Sequence, residues 1–158
     1  NEGEDRALIA SPKVATYDLK PEMSANEVTD AVIEKLNEDK YGLIILNFAN
    51  TDMVGHTGDL QATIKAVETV DRNLGRILKV LKEKDGTAII TADHGNCEYM
   101  IDDKGNVVTS HSTNLVPLFL FNRQDKLRSG GALCDLSPTI LKIMGIEKPE
   151  LMTGKSLF

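Results

Sequence analysis

The chain has 158 residues, the span of one ordinary domain, with 41% hydrophobic residues and 18 Lys and Arg set against 24 Asp and Glu. A net charge of -6 leaves no basic footprint for nucleic acid or an anionic membrane, and no apolar run reaches the roughly 20 residues of a membrane span. The polar, acidic residues 1–6 exclude a signal peptide. Cys97 and Cys134, with neither CxxC spacing nor the density of a disulfide scaffold, read as reduced thiols in a cytoplasmic protein.

In chain order, residues 7–10 and 14–17, on either side of Ser11-Pro12, predict short extended segments. Ser24 and Glu27 have capping-box spacing and open a helix whose apolar face is Val28, Ala31, Val32 and Leu36. Residues 43–48 form an unbroken apolar run of strand length, suited to a parallel strand covered on both faces. The stretch 49–58 is polar and punctuated by Gly55 and Gly58, which predicts irregular backbone. A long helix follows, striped by Leu60, Ile64, Val67, Leu74, Leu78 and Leu81 and closed by lysines that suit its dipole.

Asp85-Gly86 turns the chain into a second buried strand at residues 87–91, completing a strand-helix-strand unit with a right-handed crossover. Residues 98–101 and 107–109 flank a turn-rich stretch and read as a hairpin. Residues 116–121 form another strand, with Pro117 near its start. Asp135 or Ser137 caps a short helix that Gly145 stops, and residues 148–158 are irregular. The expected fold class is α/β, a mostly parallel sheet flanked by helices.

The chemistry gathers on three histidines, His56, His94 and His111, each in a loop and each beside acidic or hydroxyl residues. Asp52 and His56, four apart after the first strand, face one point if the segment turns once, which makes a half-site for a divalent ion. The bland alternative has Asp52 capping the next helix and His56 solvated. Asp93 and His94 end a strand, where ligands of open α/β sheets collect. Adjacent side chains converge only if the backbone turns there, as Gly95 permits. The alternative is that Asp93 accepts loop amides and His94 is exposed.

His111 lies in the hydroxyl cluster Thr109-Ser110-His111-Ser112-Thr113. No GxSxG elbow accompanies it, so the hydroxyls read as loop-stabilising and His111 as a third ligand beside Asp52 and His56. Mixed carboxylate and imidazole donors suit Mn, Zn or Fe better than Ca or Mg. Two ions need more ligands than Asp52, His56, Asp93, His94 and His111 supply. Either one ion binds or ligands lie outside the chain.

The motifs Asn47-Phe48-Ala49-Asn50-Thr51-Asp52-Met53-Val54-Gly55-His56-Thr57-Gly58, Thr91-Ala92-Asp93-His94-Gly95-Asn96 and Thr109-Ser110-His111-Ser112 resemble the carboxyl-terminal part of cofactor-independent (2,3-bisphosphoglycerate-independent) phosphoglycerate mutases. Ser11-Pro12-Lys13-Val14-Ala15-Thr16-Tyr17-Asp18 resembles them too. Asp-His-Gly alone indicates only the wider alkaline phosphatase superfamily. The resemblance implies an alkaline-phosphatase-like fold and a two-Mn²⁺ enzyme interconverting 3-phosphoglycerate and 2-phosphoglycerate through a phosphoserine. It implies Asp52, His56 and His111 on one ion and Asp93 with His94 on the other.

By that resemblance residues 1–158 are the carboxyl-terminal portion of the metal-binding domain. The serine nucleophile, a further aspartate and the inserted substrate-binding domain lie outside it. The complete enzyme is expected to be monomeric, and the chain alone inactive and prone to self-association through exposed sheet edge. The alternatives are another metal-dependent phosphomutase or phosphatase of the superfamily, or a non-catalytic metal-binding domain.

Overall fold

The structure, a computed structural model, describes residues 2–158; Asn1, the first residue of the polar start, lies outside them. It divides into two compact units, Asn1–Asn122 and Arg123–Phe158.

In the first unit, α1 (Ala25–Asn37) occupies the predicted place, but the capping box does not form. The Ser24 hydroxyl donates instead to the Ala10 carbonyl at 2.7 Å, tying the amino-terminal segment to the helix start. Residues 7–10 and 14–17 form no strand; a single 3₁₀ turn, Tyr17–Leu19, leads toward α1. Residues 50–55 are helical as α2 (Asn50–Gly55) rather than irregular. Asn50 holds this helix in place, donating from its buried amide to the carbonyls of Pro21 and Glu22 at 2.9 and 2.8 Å.

The long helix α3 (Leu60–Glu83) is capped by Asp59, whose carboxylate accepts from the Ala62 amide at 2.8 Å. Its inward face differs from the predicted stripe. Ala62, Thr63, Ala66, Thr69, Asn73 and Ile77 are buried, whereas Leu60, Ile64 and Val67 are exposed. Small and polar side chains let α3 approach α1 and α2 closely, and the core of Met23, Val54, Ala62 and Ala66, with Tyr17 against it, forms there. Asn73 crosses that interface, donating to Asn26 Oδ1 at 3.1 Å and to the Thr69 carbonyl at 3.0 Å.

The class is α/β, with β1 (Ala88–Thr91) and β2 (Leu118–Phe121) as the described sheet. Their pairing is antiparallel, with Ala88 opposite Phe121 and Thr91 opposite Leu118. The expected parallel pairing is therefore corrected for these strands. Residues 43–48 join no ladder among the described residues, and their exposure alternates, with Ile45 83% exposed, instead of being low on both faces. A continuous apolar run specifies burial on both faces only once neighbours flank the strand, and hydrophobicity alone does not name those neighbours.

The predicted hairpin is present in minimal form. Ile101 and Val107 make an antiparallel bridge, closed by a turn in which the Asp102 carboxylate accepts the amides of Lys104 and Asn106 at 2.9 and 2.8 Å.

In the second unit, a 3₁₀ turn (Leu133–Asp135) runs into α4 (Leu136–Ile143). Gly145, at a φ of +68°, ends the helical stretch as expected. The irregular tail is tied down. Leu157 is 2% exposed and its amide donates to Thr139 Oγ1 at 2.9 Å, while its carbonyl accepts from the Arg128 amide at 2.7 Å.

Candidate metal centre

Helix α2 carries Asp52 in its first turn and His56 at its carboxyl cap, so the four-residue spacing becomes one helical turn and both side chains face one side. Gly58, at a φ of +76°, then turns the chain; a side chain there would meet Val107 and Thr109. That close approach brings the Thr109 carbonyl to 2.6 Å from His56 Nδ1. A carbonyl only accepts, so the His56 Nδ1 is the donor in this contact, and Nε2 is the ring atom turned toward Asp52 and His111.

The second segment follows β1. Gly95 bridges Ser112 in antiparallel fashion, the Ser112 amide donating to the Gly95 carbonyl at 2.9 Å, and this joins the His94 loop to the His111 loop. Glu98 reinforces the joint by accepting from the Ser112 hydroxyl, from Asn114 Nδ2 at 3.1 Å and from the Asn96 amide at 2.7 Å. The Ser112 hydroxyl, with these other donors, holds the Glu98 carboxyl below its ordinary range.

These three segments converge on Asp52. His56 Nε2 and His111 Nε2 each lie 3.2 Å from Asp52 Oδ1 and 3.1 Å from one another. Metal-ligand bonds of about 2.0–2.1 Å at tetrahedral to octahedral angles give ligand edges of about 2.8–3.4 Å, so this triangle has the dimensions of one face of a coordination polyhedron. Two imidazole Nε2 atoms and a carboxylate oxygen turned toward each other form a donor set suited to a divalent cation.

His94 joins the same cluster. Its Nε2 is 3.9 Å from Asp52 Oδ1 and 3.8 Å from Asp93 Oδ2, and its ring stacks on His111 with centroids 3.7 Å apart. The backbone therefore does turn at Asp93 and His94, bringing adjacent side chains together at the strand end. Asp93 remains largely exposed, at 80% of its side chain. Donor atoms of Asp52, His94 and His111 all fall within 4.8 Å of one another, so His94 of the second predicted set stands beside two members of the first.

Of the bland alternatives, the helix cap at Asp52 does not form, whereas His56 stays exposed to solvent, at 40% of its side chain, while facing Asp52. Asp59, not Asp52, caps α3, and His56 and His94 face partners. Cys97 is half-buried and makes no part of the cluster; burial pushes its thiol pKa up, in keeping with a packing role.

Sequence reasoning missed Asn96 and Glu98. Asn96 Nδ2 donates to Asp52 Oδ1 at 2.8 Å. The contacts of Asn96 with Asp52 and of Glu98 with Ser112 reach 44 and 14 positions away, so local spacing offered no signal beyond their nearness to His94.

Residues 1–148 match the Metalloenzyme superfamily. The chain is 62% identical, over 99% of its length, to the 2,3-bisphosphoglycerate-independent phosphoglycerate mutase of Clostridium kluyveri, and 60% identical, over 98%, to mutase 2 of Methanosarcina barkeri. It spans only 31% and 30% of those proteins. A solved phosphoglycerate mutase of Leishmania mexicana, studied at low cobalt concentration, superposes on 95% of the chain with a TM-score of 0.85 at 34% identity, the match covering 31% of that protein.

Proposed function

The chain belongs to the metalloenzyme superfamily, and from that premise we propose that it is the carboxyl-terminal, metal-binding portion of a phosphoglycerate mutase that interconverts 3-phosphoglycerate and 2-phosphoglycerate. The observation that carries this reading is the convergence of His56 and His111 on Asp52 Oδ1, in a chain 62% identical to such a mutase.

In this reading Asp52, His56 and His111 hold one ion, and Asp93 with His94 contributes to a second. Mixed carboxylate and imidazole donors suit Mn, Zn or Fe, and among these we assign Mn²⁺ on the resemblance to phosphoglycerate mutases. When bound, such cations supply charge that neutralises the transferring phosphoryl oxygens. The chain's own residues prepare the site. The Thr109 carbonyl fixes the His56 tautomer, the Gly95–Ser112 bridge sets His94 beside His111, and Asp52 supplies the central negative charge.

The relatives are about three times as long as this chain, and we assign the serine nucleophile and the groups that bind glycerate to that further length. A glycolytic role of this kind places the enzyme in the cytoplasm. The test is direct: the purified 158-residue chain, loaded with Mn²⁺ and given either phosphoglycerate, is expected to produce none of the other. Turnover free of contaminating mutase overturns the assignment, and so does a full-length enzyme that acts on pentose phosphates instead.

A further inference from the structure

Asn96 is 5% exposed and has no part in the donor set, yet it touches the cluster's central atom. Its amide nitrogen donates to Asp52 Oδ1 at 2.8 Å and lies 3.4 Å from the Asp52 carbonyl. A carboxylate only accepts, so the NH₂ end of the amide must face it. The consequence is visible on the other end, where Asn96 Oδ1 is buried without a hydrogen-bond partner. An amide that served packing alone would not be expected to keep an orphaned acceptor.

One further contact and one gap hold it there. The Asn96 backbone amide donates to Glu98 Oε2 at 2.7 Å, which fixes the main chain beneath the side chain. Across from it, a Cβ at Gly55 would come within 2.5 Å of Asn96 Oδ1. The bare α-carbon of Gly55, next to His56 on α2, is the gap the amide fills.

We propose that Asn96 is a positioning residue of the metal centre. It occupies one lone pair of Asp52 Oδ1 and so turns the other toward the imidazoles of His56 and His111, with Gly55 making room for it. This rests on the metal-centre reading above. It deepens that reading by naming what aims the central carboxylate.

The test is a calorimetric titration of Mn²⁺ into metal-stripped wild type, Asn96→Ala, Asp52→Ala and the double variant, with thermal unfolding of each metal-free protein alongside. Loss of an outer partner of a ligand typically weakens metal binding by about 10–100-fold, and that loss is expected for Asn96→Ala. Little further loss is expected when the substitution is made in the Asp52→Ala background, because the effect passes through Asp52.

Gly55→Ala gives a second arm. Alanine favours helix over glycine, so destabilised helix is not its expected effect, yet the methyl displaces the amide and is expected to weaken Mn²⁺ binding as well. Unchanged affinity in Asn96→Ala or in Gly55→Ala overturns the proposal, as does an equal fold-loss with and without Asp52. If Asp52→Ala binds Mn²⁺ as wild type does, the metal centre itself is wrong and the positioning role falls with it. Loss in Asp52→Ala without loss in Asn96→Ala sinks the positioning role alone.

Discussion

At the scale of single residues, Asp52 Oδ1 is the hub: His56 and His111 Nε2 stand 3.2 Å away and His94 Nε2 3.9 Å away. That difference ranks the ligands of the first ion proposed above. Substituting His56 by Ala is expected to reduce Mn²⁺ affinity more than the about 10–100-fold typical of an outer partner. His94→Ala is expected to have the smaller effect on that ion, since its Nε2 stands 3.9 Å from Asp52 Oδ1 against 3.2 Å for His56. Parallel titrations of the two variants check the order, and a larger loss in His94→Ala would place the first ion elsewhere. Asp52, His56, Asp93, His94 and His111 were singled out in the sequence by local signals, namely strand ends, glycines and a four-residue spacing; the fold brings Asp52 and the three histidines together and leaves Asp93 largely exposed. Asn96 and Glu98 were not legible, because what they do depends on segments that meet only in the folded chain.

At the scale of elements, Asp135 shows how an irregular tail is held. Its carboxylate accepts the Lys155 amide at 2.8 Å and the Ala132 amide at 3.0 Å, and pairs with Arg128 Nη2 at 2.6 Å. The Lys155 and Ala132 amides, then Arg128, depress its pKa from 3.8 to about 2. Between those values the unfolded chain binds the proton that the folded chain refuses. This contribution to stability is therefore complete above about pH 4 and disappears as the pH falls through about 2. Asp135→Asn is expected to lower the unfolding temperature at pH 7 and to flatten the acid limb between those pH values. Thermal melts across that range decide it, and an unchanged acid limb would mean the tail is held by other contacts.

Although the cap of α3 is Asp59 and the Ser24–Glu27 capping box does not form, the places of α1, α3 and α4 were largely legible because start and stop signals act locally, as Gly145 does after α4. The buried face of α3 was not. Hydrophobicity pointed to Leu60, Ile64 and Val67, while close approach to α1 selected Ala66, Thr69 and Asn73. Which face packs depends on the neighbour's shape, and periodicity carries no record of it.

At the scale of the whole molecule, the α/β class was legible and the strand pairing was not, since register and neighbours depend on segments distant in sequence. Large apolar side chains stand exposed on several elements, among them Ile45 on the unpaired run 43–48, Ile64 and Val67 on α3, and Phe119 on β2. Exposed apolar surface beside unpaired strand-forming sequence favours association. The 158-residue chain is expected to show a mass that rises with concentration in light scattering. A concentration-independent monomer would mean that this surface is tolerated in water.

The most direct test of the metal centre is a calorimetric titration of Mn²⁺ into the metal-stripped protein and into His111→Ala. The geometry around Asp52 predicts one ion bound by the wild type and lost on removal of His111, because that imidazole closes the triangle with Asp52 and His56. Binding that survives the substitution undiminished, or no binding by either protein, would contradict a centre assembled within this chain.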